Sequence, residues 1–158
     1  MVAQANKSPL YDIRTFDSRH SAGALIGRTR KAMYEEFERE LAPLGLTAAQ
    51  ALVLIVLADQ PQATAAAMCR TLSHDAGAMT RLVDKLESMR LVRRVREERD
   101  RRSARLELTK EGSARHAQVR RVQIAMLNKM LHGFTKAEAR TLEALLKRIL
   151  ENANGEGA

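Results

Sequence analysis

Apolar side chains recur every three or four residues along most of the chain, and this spacing places them on one face of an α-helix. Met33, Phe37 and Leu41 belong to such a series and predict a long amphipathic helix over about 18–42. Further helices are predicted at about 47–57, 64–72, 75–89, 109–131 and 135–150. The helix at 47–57 is apolar on nearly every side, so we expect it to be buried.

Residues that cap or break helices support these boundaries. Serine, threonine and aspartate satisfy the first free backbone amides of a helix through their side chains. The predicted caps are Thr47 with Gln50, Thr64, Asp75, and Thr135 with Glu138, and Thr109 opens the fifth helix. Pro43 and Gly45 end the first helix, DQPQ at 59–62 ends the second, and Gly133 ends the fifth.

The period changes after Leu91, where apolar residues begin to alternate with arginine or glutamate. This alternation predicts two antiparallel strands, about 92–96 and 104–108, joined by the polar and mobile tip EERDRRS. A short turn at 72–74 separates the third helix from the fourth. We therefore predict a mainly α fold with a small β hairpin, in which a helix–turn–helix is followed directly by the hairpin.

Composition favours helix and an anionic partner. The chain has 158 residues, the size of one domain or of two small, intimately packed ones. It is 45% hydrophobic but only 3% aromatic, so its core must be aliphatic. Lys and Arg number 27 and Asp and Glu 19, which gives a net charge of +8. A charge of this sign favours nucleic acid or a membrane surface as the partner.

Positive charge is concentrated in the predicted hairpin, because eight arginines and three acidic residues lie within 90–105. A helix presented by a short turn can enter the major groove of DNA, and an adjacent hairpin can then follow the phosphates. We predict that Arg101 and Arg102 reach a minor groove and that Asp100 orients Arg102. The alternative is that the arginines are merely the solvated side chains of an exposed hairpin.

The segment DAGAMTRLVDKLESMRLVRRVREERDRRSARLELTKEG, 75–112, resembles the winged helix–turn–helix of the MarR (multiple antibiotic resistance regulator) family. The motifs TRLVDKLE followed by LV, and DRRS leading into LELTKEG, carry the resemblance, and LTAAQALVLIVL at 46–57 resembles the family's second helix. The resemblance covers about 46–112 and extends loosely into the flanking helices. It implies a homodimer on a roughly palindromic double-stranded DNA operator.

The resemblance also implies a division of labour along the chain. A first dimerisation segment would span 1–45, a winged helix–turn–helix lobe 46–112, and the C-terminal dimerisation helices 113–158. The side chains expected at the dimer interface are Phe16, Leu142, Leu145, Leu146 and Ile149. The residues expected to contact DNA or support that contact are His74, Ala76, Gly77, Thr80, Arg81, Lys85, Arg99, Asp100, Arg101 and Arg102.

The start of the recognition helix departs from the family pattern. Ala76 and Gly77 stand where the family often has polar or larger residues, and neither side chain can hydrogen-bond a base. Much of the affinity for DNA is therefore expected to come from the predicted hairpin, which is the wing of this fold. For Arg81 the alternative is an ordinary surface charge near Asp84 or Lys85.

The segment YDIRTFDSRH, 11–20, is a candidate effector site. Arginine can bind a carboxylate through two hydrogen bonds, and histidine can bond a ring hydroxyl or nitrogen. Arg14 and His20 resemble the arrangement in the MarR branch that responds to aromatic catabolites, and Tyr11 and His74 are the further candidate ligand residues. This implies a small aromatic or heteroaromatic carboxylate as effector. The alternative is that Arg14 and His20 are surface or dimer-contact groups.

Other candidate chemistry is weak. Cys69 is the only cysteine and falls on the apolar side of its helix, so we expect a buried structural cysteine rather than a redox sensor. The histidines lack metal-ligand spacing, and no phosphate loop or catalytic constellation occurs, so no metal, cofactor or enzymatic activity is expected. The methionines predicted to lie in the core, or alternatively to line a pocket, are Met33, Met68, Met79, Met89, Met126 and Met130.

The leading hypothesis is a cytoplasmic, ligand-responsive, sequence-specific repressor. No segment resembles a signal peptide, and the longest apolar run, 51–58, is far shorter than the ~20 residues that span a bilayer. Two alternatives stay open: a nonspecific architectural DNA-binding protein, and a MarR-type regulator without an effector. A membrane-surface or acidic-protein binder is disfavoured, because the arginines lie on a hairpin and not on an amphipathic helix.

Overall fold

The computed structural model describes residues 9–97 and 100–155, and describes only the backbone over 96–97 and 100–104. The described elements are α1 (Ala22–Leu41), a 3-10 turn (Ala42–Leu44), α2 (Ala48–Asp59), α3 (Ala65–Leu72), α4 (Ala76–Ser88), β1 (Val92–Glu97), β2 (Asp100–Leu108), α5 (Lys110–Met130) and α6 (Lys136–Asn154). The predicted order and the mainly α class with a hairpin are confirmed. Two compact units divide inside α1, one Met1–Glu36 and the other Phe37–Ala158.

The predicted caps begin their helices because each side chain accepts a backbone amide that the helix itself leaves free. Thr47 accepts from the amide of Gln50 at 3.2 Å, and the Gln50 side chain accepts from the amide of Thr47 at 3.0 Å. Asp75 accepts from the amide of Ala78 at 2.8 Å. The remaining predicted caps are confirmed in the same way at Thr64 in α3 and at Thr135 with Glu138 in α6.

The first helix begins at Ala22 and not at 18 as predicted. Ser21 acts as its cap, since its hydroxyl accepts from the amide of Ala24 at 3.3 Å and its carbonyl accepts from the amide of Leu25 at 3.0 Å. The amide of Ala22 donates to the hydroxyl of Tyr11 at 3.0 Å. Apolar spacing alone does not reveal which polar residue satisfies the first amides, so the predicted boundary was wrong.

An aliphatic core fills the unit Phe37–Ala158. Val53, Leu54 and Leu57 of α2 are buried, which confirms that this helix lies inside. The largest fully buried side chains are Leu41, Leu54, Met68, Met79, Leu86, Leu106, Val53, Val83 and Val119. Among the described residues, no single helix is long and apolar enough to cross a membrane. The segments Ala22–Leu44 and Ala48–Asp59 reach the required length and apolar composition only when they are taken together, and the chain bends sharply between them.

The methionines and the cysteine that were predicted to lie in the core are buried only in part. Met68, Met79 and Met126 are buried, and Met89 and Met130 pack against the core, which confirms the core interpretation for these five. Met33 is half-buried and belongs to the unit Met1–Glu36. Cys69 is half-buried against the core and not fully buried as predicted, because the two-turn helix α3 buries only Met68 completely.

Strands β1 and β2 pair antiparallel, with Val92 opposite Leu108 and a register shift between Arg96 and Glu97. Both strands run further toward the tip than predicted, since β1 extends to Glu97 and β2 begins at Asp100. The predicted limits were wrong because apolar alternation stops near 104, whereas the hydrogen-bond ladder between backbones needs no apolar side chains.

The hairpin is also tied to the chain that precedes α3. The amide of Leu106 donates to the carbonyl of Ala63 at 3.0 Å, and Arg105 forms an isolated antiparallel bridge with Thr64. The guanidinium of Arg105 donates to the side chain of Gln62 at 2.6 Å. These contacts attach the hairpin to the helix–turn–helix, so the two elements pack as one body.

A close backbone contact at Gly112 joins the hairpin to α5. A Cβ added to Gly112 would overlap the carbonyl oxygen of Leu91 and lie 2.9 Å from the carbonyl carbon. The same oxygen accepts from the amide of Thr109 at 3.1 Å. Thr109 caps α5 by accepting from the amide of Gly112 at 2.9 Å, and its hydroxyl donates to the carbonyl of Arg90 at 2.6 Å. The position therefore has room for glycine alone.

We expect Gly112→Ala to lower the free energy of unfolding by about 3 kcal/mol, because the backbone of Leu91 must move to admit the new methyl group. Urea unfolding followed by circular dichroism measures the change. Gly27→Ala in α1 is the matched control, since an added Cβ there meets nothing within 4 Å. The control should be neutral or should raise stability by up to about 1 kcal/mol. Equal effects of the two substitutions would contradict the steric argument.

Candidate nucleic-acid interface

Helix α4 buries one face and exposes the other. Met79, Val83 and Leu86 are fully buried against the core. The residues of α4 that the sequence predicted for DNA contact are all exposed, namely Ala76, Gly77, Thr80, Arg81 and Lys85. The structure thus brings these five residues to the solvent side of one helix, whose other side is anchored by the core.

A tight turn fixes where α4 begins. Ser73 has a left-handed φ of 53°, and the amide of His74 donates to the carbonyl of Cys69 at 3.0 Å. The imidazole Nδ1 of His74, a half-buried residue, lies 2.7 Å from the carbonyl oxygen of Leu72. Because a carbonyl only accepts, Nδ1 carries the proton, and Nε2 is left as the second polar atom of the ring. The predicted turn at 72–74 is confirmed.

The exposed side chains in the first turns of α4, up to Thr80, are small. Ala76 and Gly77 carry no polar side-chain atoms, and the hydroxyl of Thr80 donates to the carbonyl of Ala76 at 2.8 Å. This bond uses the only proton of the hydroxyl. Thr80 therefore offers solvent a methyl group and an oxygen that accepts hydrogen bonds.

Arg81 lies toward the start of α4. Its Nη1 is 3.6 Å from the point that a Cβ on Gly77 would occupy, so the missing side chain leaves space for the guanidinium. The pKa of Asp75 is lowered chiefly by the amide of Ala78, and the charge of Arg81 adds to this effect. Arg81 forms no ion pair with any residue that the structure describes. The acid considered as its surface partner, Asp84, is bound by another arginine.

That arginine is Arg94, which reaches from β1 to α4. Its Nη2 donates to Asp84 Oδ1 at 2.7 Å, and its Nη1 donates to Glu87 Oε2. The backbone amide of Arg94 donates to Glu87 Oε1 at 3.0 Å. Sequence reasoning missed this contact. The available signal was the spacing of Asp84 and Glu87, which places two acids on one helical face close to an arginine-rich strand.

A second arginine of the hairpin is bound within the hairpin. Arg93 and Glu107 face each other across the strands, and Nε and Nη2 of Arg93 donate to Glu107 Oε2 at 3.1 and 2.7 Å. Together with the contacts of Arg94 and Arg105, this means that part of the positive charge counted in 90–105 serves the packing of the hairpin. The sequence alone does not separate these arginines from those available to a ligand.

The predicted residues of the wing tip are only partly covered. Arg99 lies outside the described residues. Asp100, Arg101 and Arg102 belong to β2, and their backbones are described whereas their side chains are not. The predicted orientation of Arg102 by Asp100 therefore also lies outside the described residues.

Comparisons with known proteins agree with this geometry. A model described as MarR family matches residues 44–103. The multiple antibiotic resistance protein MarR of Escherichia coli (strain K12) is 33% identical over 129 residues, which cover 81% of this chain and 90% of that protein. The chain belongs to the MarR family. The resemblance read from the motifs at 46–57 and 75–112 is thus confirmed.

Two solved structures of MarR proteins resemble the structure of this chain. A mutant MarR of E. coli complexed with operator DNA matches with a TM-score of 0.72 and 32% identity, over 81% of this chain and 92% of that chain. A MarR family protein of Mycobacterium tuberculosis complexed with salicylic acid matches with a TM-score of 0.70 and 27% identity, over 82% and 96%.

The last helix of this MarR-family chain exposes an apolar stripe. None of its residues is buried, and the exposed fractions along the stripe range from 38% to 63%. The stripe consists of Leu142, Leu145, Leu146, Ile149 and Leu150. Positions with this spacing share one face of a helix. Contiguous apolar surface of this kind typically marks a contact with another protein surface. Leu150 continues the predicted set by one residue.

The candidate effector residues lie mostly in the unit Met1–Glu36. Tyr11, Phe16 and His20 line one shallow depression, with Asp17 beside them. The rings of Tyr11 and Phe16 pack edge to face with centroids 5.3 Å apart. His20 Nδ1 lies 2.6 Å from Asp17 Oδ2, and this hydrogen bond is the main cause of the lowered pKa of Asp17.

Arg14 is placed differently from the other candidates. It is not among the residues lining the depression, and its Nε and Nη2 donate to Asp12 at 3.2 and 3.0 Å. This contact lowers the pKa of the Asp12 carboxyl. His74 belongs to the unit Phe37–Ala158. Of the four predicted ligand residues, the structure brings together Tyr11 and His20.

Proposed function

We propose that the protein is a dimeric, sequence-specific DNA-binding regulator of transcription, a repressor that a small aromatic or heteroaromatic carboxylate releases from a palindromic operator. The observation that carries the DNA-binding part is the exposed face of α4, which follows a tight turn and lies beside a hairpin bound to it. A helix presented in this way fits the major groove. The complex of the E. coli relative with operator DNA supports the same conclusion.

Arg81 is the residue that we assign to base recognition. It is exposed, lies toward the start of α4 and is not paired with a described acid. Its planar fork matches the O6 and N7 atoms of guanine. Thr80 adds an acceptor and a methyl group, while Ala76 and Gly77 let the helix approach the bases closely. Lys85, one turn further along, would contact phosphate.

The wing would supply sequence-independent affinity. Arg99, Arg101 and Arg102 are proposed to contact phosphates or a narrow minor groove, with Asp100 orienting Arg102. His74, whose Nδ1 is bound to the carbonyl of Leu72, is proposed to support the contact with DNA through Nε2. The net charge of +8 attracts DNA over longer distances and makes the binding salt-dependent.

Dimerisation is proposed through the terminal parts of the chain. The apolar stripe of α6 supports this, with Phe16 contributing from the N-terminal segment. Residues 1–45 and 113–158 would then supply the dimerisation segments, and residues 46–112 the DNA-binding lobe. Two-fold symmetry would place the two α4 helices about one DNA turn, ~34 Å, apart, and this spacing requires a palindromic operator.

The effector is proposed to bind within the unit Met1–Glu36, at Tyr11, Arg14 and His20. The complex of the M. tuberculosis relative with salicylic acid supports an aromatic carboxylate. Such a ligand releases DNA only to the extent that it binds the non-binding arrangement of the dimer more tightly.

A nonspecific architectural DNA-binding protein is the second candidate, and the charge of +8 favours it. The ratio of specific to nonspecific affinity separates the two, because a repressor prefers its operator by ~10³-fold or more. A MarR-type regulator without an effector is the third candidate, which the effector experiment below distinguishes.

Arg81→Ala is expected to weaken binding to a specific duplex by about 10- to 100-fold and to leave a scrambled duplex nearly unaffected. The specific duplex is one that the wild-type protein selects from a random library, and fluorescence anisotropy measures both affinities. Lys31→Ala is the control, since it removes the same charge from an α1 residue that lies 3.7 Å from Glu35. Equal binding of the wild type to both duplexes would favour the architectural candidate.

Leu145→Glu is expected to convert the dimer into a monomer, because it places a charge in the middle of the α6 stripe. Light scattering coupled to size-exclusion chromatography gives the mass directly. Ala144→Glu introduces the same group on the opposite side of α6 and should leave the dimer intact. A dimer that survives Leu145→Glu would remove α6 from the interface.

Salicylate and benzoate are expected to release the wild-type protein from the selected duplex, whereas Arg14→Ala should abolish release without changing DNA affinity. Arg14 would bind the ligand carboxylate through two hydrogen bonds. Arg19→Ala, an exposed arginine of the same segment, serves as the control. Release by neither acid would favour a regulator that does not respond to this class, and unchanged release by Arg14→Ala would show that the effector binds elsewhere.

A further inference from the structure

We infer that Arg94 is a positioning residue, which sets the angle between the hairpin and α4 by binding Asp84 and Glu87 and does not itself contact DNA. This inference rests on the proposed DNA binding. It assigns a role to three residues that lie outside the set predicted to touch DNA.

The contact is directional and not merely electrostatic. One guanidinium donates through Nη1 and Nη2 to carboxylates that stand one helical turn apart, while the backbone amide of the same residue donates to Glu87. The strand itself is therefore bound to the helix. The Arg94 and Glu87 side chains are only 35% and 29% exposed, so water competes less for this pair than for most surface pairs. A lysine ammonium lacks the fork needed to reach both acids.

The position of the contact along the hairpin matters as much as its strength. Val92, at the start of β1, is buried in the core, and so is Leu106 of β2. Arg94 lies two residues after Val92 in β1, opposite Leu106, and binds α4 from there. An isolated two-stranded hairpin is only marginally stable in water. Without the Arg94 side chain, the described hydrogen bonds from β1 to the recognition helix would be reduced to the one that the backbone amide of residue 94 donates to Glu87.

Removing the acids should change the affinity for DNA in opposite directions, depending on whether they act through net charge or by positioning Arg94. Asp84 and Glu87 lie on the helix proposed to approach phosphates, so removing either carboxylate should strengthen DNA binding if net charge alone matters. If the acids hold Arg94 in place, their removal should weaken binding to the specific duplex. The two effects can therefore be separated by the direction of the change.

The experiment compares the full-length wild type with Glu87→Ala, Asp84→Ala, Arg94→Ala, Arg94→Lys and the double variant Glu87→Ala/Arg94→Ala. Affinities for the selected and the scrambled duplex are measured by fluorescence anisotropy over a range of salt concentrations. Urea unfolding first establishes that every variant is fully folded at the temperature used. Glu35→Ala, which removes an exposed acid from α1, is the control for loss of negative charge.

We expect Glu87→Ala to weaken binding to the selected duplex by about 5- to 10-fold and to leave the scrambled duplex unchanged or bound more tightly. Arg94→Lys should resemble Arg94→Ala. The loss in the double variant should be smaller than the sum of the losses in the two single variants, because both changes break the bond between the Arg94 and Glu87 side chains. The slope of log affinity against log salt should stay that of the wild type, since no phosphate contact is lost.

Two results would overturn the inference while leaving the proposed function intact. One is binding of Glu87→Ala to the selected duplex that equals or exceeds that of the wild type. The other is a salt slope that falls by about 0.9 in Arg94→Ala but is retained in Arg94→Lys, as expected of a phosphate contact. A wild type that does not discriminate between the duplexes would overturn the proposed function and this inference together.

Discussion

The close approach of Gly112 to the carbonyl of Leu91 is the constraint on which the geometry of the DNA-binding region depends. Leu91 stands between α4 and β1, and its amide donates to the carbonyl of Leu86 at 2.9 Å. Thr109 and Gly112 stand between β2 and α5. The end of α4, the base of the hairpin and the start of α5 therefore meet within one small contact. Because α5 leads directly into α6, a rearrangement of the proposed dimer would reach α4 and the hairpin through this contact.

Arginine serves two purposes in the hairpin, and the structure separates them. Arg93 and Arg94 are committed to Glu107, Asp84 and Glu87. These pairs neutralise acids that would otherwise repel phosphate. In the proposed complex, they also keep the strands in the orientation that directs the remaining arginines to DNA. A high arginine count therefore overstates the charge available for binding, and part of it is the cost of building a rigid basic surface from a short hairpin.

Local pattern predicts local structure in this chain, and fails where the cause lies far along the sequence. Thr47 and Asp75 could be recognised as caps because their partners lie three residues away. The exposed side of α4 followed from its apolar stripe. Gly112 was part of a recognised motif, but its steric role depends on Leu91, twenty-one positions earlier in the sequence. The bond of Arg94 to α4 is hidden for the same reason, since a single sequence does not show which acid an arginine meets.

The candidate effector segment, 11–20, contains an exposed ion pair that limits how much a charge contact can add to ligand affinity. Arg14 and Asp12 form an exposed pair, and water screens most of its attraction. A ligand carboxylate that replaced Asp12 would exchange one such pair for another, so the charge contact would select for a carboxylate without adding much affinity. Affinity must then come from apolar contact with the ligand ring, and the edge-to-face pair of Tyr11 and Phe16 is the aromatic surface in this segment. The proposed preference for an aromatic acid would thus depend on two weak features, in which the guanidinium recognises the anion and the rings contribute most of the binding energy.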